Sequence, residues 1–109
     1  MSAPLFVTAL NDAFRRTFMG GRVLLTAEIT SLSKAHQVEI MQAVQSFESF
    51  TADNDPYGEH DFGCIDHPVA GRIFWKIDYY DRSMQQGSED PSDPTKTVRV
   101  LTIMLASEY

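Results

Sequence analysis

The chain has 109 residues, 43% of them hydrophobic and 22% charged, an ordinary globular composition in a length too short for two independently cored domains. Its formal charge of −6 disfavours direct contact with nucleic-acid phosphate and favours basic surfaces or cations. The apolar run from Val100 to Ala106 falls well short of the roughly 20 residues a membrane-spanning helix needs, and the start of the chain lacks the basic leader of a secretory signal. A single domain over residues 1–109, in the cytoplasm and without a membrane partner, is therefore expected. The lone Cys64 has no internal disulfide partner and reads as a small buried apolar residue.

In chain order, Pro4 opens a stretch in which Phe6, Leu10, Phe14 and Phe18 recur every four residues with Ala9 and Ala13 beside them, predicting a helix from Pro4 to Thr17. Gly20 and Gly21 break it, and Arg22 to Ile29 reads as a strand with Val23, Leu25, Ala27 and Ile29 on one face. Ser31 or Ser33 caps a second helix running to about Ser49, with Val38, Met41, Val44 and Phe47 at helical spacing. His60 to Asp66 is a short strand, 67–71 (His-Pro-Val-Ala-Gly) is a turn, and Arg72 to Asp81 is the strongest strand, pairing with the first as a hairpin. After a Gly-, Ser-, Asp- and Pro-rich loop from Arg82 to Thr97, Val98 to Ala106 supplies the last strand.

The fold this predicts is two-layer α+β, in the order α-β-α-β-β-β. Its four-stranded, mainly antiparallel sheet carries both helices on one face. Alternation sends Ile73, Trp75, Ile77 and Tyr79 into the core and Phe74, Lys76, Asp78 and Tyr80 to the second face. The last strand is apolar on both faces, so the second face, with Phe74, Tyr80, Val100 and Met104, calls for a cover. Either the Arg82 to Thr97 loop or the partner of a homodimer would serve, with the dimer preferred.

Charge is unevenly distributed. Residues 35–71 hold seven carboxylates, Glu39, Glu48, Asp53, Asp55, Glu59, Asp61 and Asp66, and no Lys or Arg. Residues 53–61 open like a calcium-binding loop, but Tyr57 and Cys64 fall at ligand positions and no exiting helix follows. The favoured reading is a turn-rich loop in which Asp and Asn bond nearby backbone. His60, Cys64 and His67 lack the paired spacing of a zinc site, and His36 reads as a surface or half-buried side chain. No metal or other cofactor is expected. Lys76, Asp78 and Tyr80 share a strand face where acid/base chemistry is conceivable, but no phosphate loop, nucleophile elbow or Cys/His dyad accompanies them.

Several strings are distinctive: residues 50–63 (FTADNDPYGEHDFG), 75–81 (WKIDYYD), 87–94 (GSEDPSDP) and 99–109 (RVLTIMLASEY), with Leu10-Asn11-Asp12, Arg15 and Gly20-Gly21-Arg22 before them. Together they resemble the bacterial family catalogued as domain of unknown function 3768, small alphaproteobacterial proteins often carried on plasmids or other mobile elements. That resemblance implies a bacterial cytoplasmic setting and marks the 53–61 and 87–94 loops as important, without assigning an activity.

The expected function is a small acidic protein-binding module of mobile-element type. Its contact residues would be Asp53, Asp55, Glu59, Asp61, Glu89 and Asp90, and its partner a protein with a basic surface. A specific form is an inhibitor that presents carboxylates to a phosphate-binding groove. The alternative is a metal-assisted or general acid/base enzyme using Lys76, Asp78, His60 and the acidic loop.

Overall fold

The structure is a computed structural model that describes residues 5–109. Helix α1 (Leu5–Thr17) leads to strand β1 (Gly21–Leu25), the one-turn helix α2 (Ala27–Thr30) and helix α3 (Lys34–Gln45). Strands β2 (Phe62–His67), β3 (Gly71–Tyr80) and β4 (Val98–Leu105) follow, and a 3-10 turn covers Ala106–Glu108. The strands form one sheet in the order β1-β4-β3-β2, with β1 parallel to β4 and the other pairings antiparallel. The expected α+β class and mainly antiparallel sheet are thus present.

Period-two alternation in β3 and β4 sends Ile73, Trp75, Ile77, Leu101 and Ile103 to one face, where they meet Phe14 of α1, Ile29 of α2, and Ile40 and Val44 of α3. Trp75 is fully buried, with Phe47 edge-on at 5.5 Å. Its cross-strand partner is Gly63. A Cβ there would lie 2.3 Å from the indole Nε1 and 2.9 Å from Phe47, so the absent side chain makes the room that Trp75 fills.

Both long helices are rotated from the faces their apolar residues predict. In α1 the buried positions are Val7, Asn11, Phe14 and Arg15, whereas Phe6 is 52% exposed; Pro4 lies outside the described residues. In α3, capped by Ser33, whose Oγ accepts from the His36 N–H, the buried positions are Gln37, Ile40 and Val44, while Val38 is exposed. The cause is common to both helices: polar side chains that find hydrogen-bond partners occupy core positions, displacing apolar neighbours to the surface. The second helix also ends at Gln45 rather than near Ser49.

The first strand is shorter than expected. It leaves the sheet after Leu25, where Thr26 N–H donates to the Ile103 carbonyl, and Ala27 to Thr30 turn into α2. Ile29 still reaches the core, because an apolar residue four positions after Leu25 satisfies a helical turn as well as a strand. Cys64 is exposed, a correction to its buried reading: it stands opposite Phe74 on the sheet face away from the helices.

Part of that second face is met by the last residue of the chain. Tyr109 folds back so that its ring lies 5.4 Å from Phe74 and 5.7 Å from Phe62. The Arg82 to Thr97 loop instead bonds to the end of the sheet, where Ser88 N–H donates to the Tyr79 carbonyl, and to Arg99, whose Nη2 donates to the Pro91 carbonyl. Arg99 stands beside Tyr79 on the helix-packed face.

Candidate functional site: a polar hub joining two loops

Four polar side chains meet where α1 crosses the sheet. Asn11, fully buried, donates from Nδ2 to the Glu59 carbonyl at 2.9 Å and to the Tyr79 hydroxyl at 2.8 Å. Its Oδ1 accepts from Arg99 Nε at 2.7 Å. Tyr79 in turn donates to Glu59 Oε1 at 2.7 Å, and the Arg99 guanidinium lies over the Tyr79 ring, 5.2 Å from its centroid. Burial and the Glu59 carboxylate hold the Tyr79 phenol well above its usual pKa, so the hydroxyl keeps its proton and remains a donor. Helix, sheet, the 53–61 loop and, through Pro91, the 87–94 loop are therefore tied at one point.

One turn along α1, Asp12 and Arg15 extend the hub. Arg15, buried, donates from Nη2 to Asp12 at 3.1 Å and from Nη1 to the Gln45 carbonyl at 3.0 Å, which satisfies the end of α3. Asp12 also meets His60 Nδ1 at 2.9 Å, and His60 Nε2 stands 3.6 Å from Asp55. The His60 ring stacks on Phe50 at 3.8 Å, nearly parallel, while Arg15 lies over the Phe50 and Trp75 rings. His60 takes a positive φ of 56°, a region costly for most side chains, and these contacts hold it there. With a carboxylate facing each ring nitrogen, the His60 ring bridges Asp12 of α1 and Asp55 of the 53–61 loop.

The 53–61 loop is built as the turn-rich reading proposes. Asn54 Oδ1 accepts from Thr51 N–H at 2.9 Å, its Nδ2 donates to the Ser49 carbonyl at 3.0 Å, and the Asp55 carboxylate accepts from His60 N–H. Of the expected contact residues, Asp53 is exposed, but the Asp55 side chain is only 6% exposed. Glu59 is half-buried and holds Tyr79. Asp61 is half-buried, and burial first, then the charges of Glu59, Asp55 and Asp78, push its pKa up to about 6. In the second loop, Glu89 is exposed and pairs with Lys96 at 3.7 Å, and Asp90 accepts from Ser92. The structure thus gathers Asp55, Glu59 and Asp61 around one point and places Glu89 and Asp90 in a separate turn system.

Lys76 and Asp78 bond to one another on the face away from the helices. His67 is structural: its Nδ1 accepts from Val69 N–H and Ala70 N–H, closing the hairpin turn, so Nε2 carries the proton and donates to Glu39 at 2.9 Å. Among the described residues no three His, Cys, Asp or Glu side chains converge to hold a metal ion, and no helix is long and apolar enough to cross a membrane.

Asn11, Arg15, Tyr79 and Arg99 carry the hub, and none of them stands out as a site residue in the sequence. The available signal was polar residues four apart, Asn11 and Arg15, beside the apolar Val7 and Phe14 of the same helix. Fold and hub together define a small α+β module whose two long loops are fastened to one buried polar centre. The chain belongs to the family described as "Protein of unknown function (DUF3768)", whose model matches residues 25–108. The match takes in both loops, Tyr79 and Arg99 but begins after α1. No curated protein and no solved structure matches the chain.

Proposed function

We propose that this protein is a binding module that receives a basic protein surface at its acidic end, where Asp53 and Asp61 make the contact and Asp55 and Glu59 anchor the loop and add to its negative field. The observation that carries this reading is the half-buried Asp61 carboxyl, whose pKa is pushed up to about 6 first by burial and then by the neighbouring charges of Glu59, Asp55 and Asp78. An incoming Lys or Arg would offset the like charge around Asp61 and favour its ionised form. The hub holds the loop that carries these carboxylates, which lowers the ordering cost of association. In the bacterial mobile-element setting that the family resemblance implies, such a module would act as an inhibitor, its carboxylates standing in for phosphates in a nucleic-acid enzyme's groove. The enzymatic alternative gains less support, since Lys76 and Asp78 pair with each other and His60 is held between two carboxylates.

The test must spare the anchors. Amides at Asp55 and Glu59 would loosen the loop, whereas Asp53→Asn with Asp61→Asn removes charge and leaves those bonds in place. Immobilised wild type should retain a basic protein from bacterial lysate, release it as salt rises, and lose it to competing duplex DNA. Equal retention by the folded double variant, or indifference to duplex DNA, would overturn the reading.

A further inference from the structure

Beside the C-terminal end of α1 the surface changes its chemistry. A cleft of about 220 Å³ is lined by Leu10, Ala13, Phe14 and Met19 on the helix side and by Arg82 and Arg99 across from them. None of its lining residues is acidic, in a chain of net charge −6. Arg99 is only 4% exposed, yet no carboxylate pairs with it among the described residues. Its bonds go to the neutral Asn11 Oδ1 and to the Pro91 carbonyl. Among the described residues no acceptor lies within hydrogen-bond distance of its Nη1, whereas Nε and Nη2 are both engaged. Burial lowers the Arg99 pKa against the nearby Tyr79 and Glu59 groups, which raise it, but a guanidinium stays protonated in proteins, so a nearly buried positive charge lines the cleft.

We infer that this cleft is a binding site for a small amphipathic carboxylic acid, with its carboxylate on Arg99 Nη1 and Arg82 and its hydrocarbon body on Leu10, Ala13, Phe14 and Met19. Arginine suits a carboxylate because its planar fork matches the two oxygens, and a hydrogen bond between two charged groups in a partly dry site is about twice as strong as a neutral one. The apolar wall excludes inorganic phosphate as the natural ligand, since such an anion would leave that wall wet. The cleft is smaller than the roughly 300–1,000 Å³ of drug-sized sites, which limits the body to a short chain or a single ring. This site does not rest on the acidic-surface reading, and neither stands or falls with the other.

The probe is hexanoate, titrated into the full chain by calorimetry and by amide chemical-shift mapping. Saturable binding with a Kd on the order of 1 mM or tighter is expected, with shifts concentrated at residues 10–20 and 94–99. Hexanol, lacking the charge, and inorganic phosphate, lacking the body, should each bind at least about 10-fold more weakly. Because Arg99→Gln would also disturb Asn11 and Pro91, the decisive variant is Ala13→Phe. Ala13 is exposed and outside the hub, so the added ring should fill the cleft and abolish hexanoate binding while thermal stability is retained. Arg82→Gln should weaken hexanoate several-fold and leave hexanol unchanged. Failure of hexanoate to saturate, equal affinity for hexanol, or undiminished binding by Ala13→Phe would each overturn the assignment.

Discussion

Replacing Gly63 by Ala tests the packing of the core directly. A Cβ at this position would sit 2.3 Å from Trp75 Nε1, 2.6 Å from Cε2 and 2.9 Å from Phe47 Cε1, all far inside van der Waals contact. The obstructing atoms belong to rigid rings, and the register of β2 against β3 keeps residue 63 opposite Trp75, so relief requires the indole to tilt or the edge strand to move. Overpacking of this kind costs about 1–3 kcal/mol, and the geometry here argues for the upper part of that range. In a Trp75→Phe background the two nearest atoms are gone, and the cost of Gly63→Ala should fall by about 1 kcal/mol or more. Trp75→Phe should itself be milder than a typical loss of buried ring volume, because the indole N–H is buried without an acceptor and its removal relieves an unsatisfied donor. Urea denaturation of the four proteins, followed by far-UV circular dichroism because the chain has one Trp, gives the coupling. A Gly63→Ala variant as stable as wild type, or an equal penalty in both backgrounds, would refute the role assigned to Gly63.

Asn11→Ala strands Arg99 Nε and removes a partner of Tyr79 and Glu59; a cost of about 2–4 kcal/mol is expected in denaturant titration, and a cost below that of an ordinary surface change would show that the hub is not structural. Asp61 has a folded pKa of about 6, raised from 3.8, so the folded state holds the proton more tightly and Asp61 disfavours folding increasingly as pH rises from about 4 to 6. Asp61→Asn should remove that decline and stabilise the protein at pH 7 by about 1 kcal/mol, a figure discounted for the solvent contact of a half-buried group, as thermal melts across this pH range would reveal. His67→Phe keeps the ring volume but loses the acceptor for Val69 N–H and Ala70 N–H; a loss of about 1–3 kcal/mol, with faster amide exchange confined to 67–71, is the expected outcome.

The elements whose reason is local were legible in the amino-acid sequence. The alternation of Ile73, Trp75, Ile77 and Tyr79 fixes which face of β3 is buried, because successive side chains in a strand point to opposite sides regardless of what packs there. Ser33 before α3, the turn at 67–71 and the Asx bonding within 53–61 likewise depend on short-range backbone chemistry. What the chain could not disclose locally was the interior fate of its polar residues. Asn11, Arg15 and Arg99 are buried with partners 29 to 88 residues away in sequence, and only the tertiary structure brings those partners within reach; the buried Arg15 Nε stays without an acceptor among the described residues. The same long-range pairing rotates α1 and α3 away from their most apolar faces and draws Asp55 and Glu59 inward from an acidic run that composition alone would leave in water. Tyr109 reaches the second sheet face through ring contacts with Phe62 and Phe74, and Arg99 lines a cleft with Leu10 and Ala13, meetings between distant parts of the chain that only the fold creates. Local pattern sets which side of an element is eligible for burial, and the free energy of satisfying charges and donors in three dimensions decides which eligible side is used.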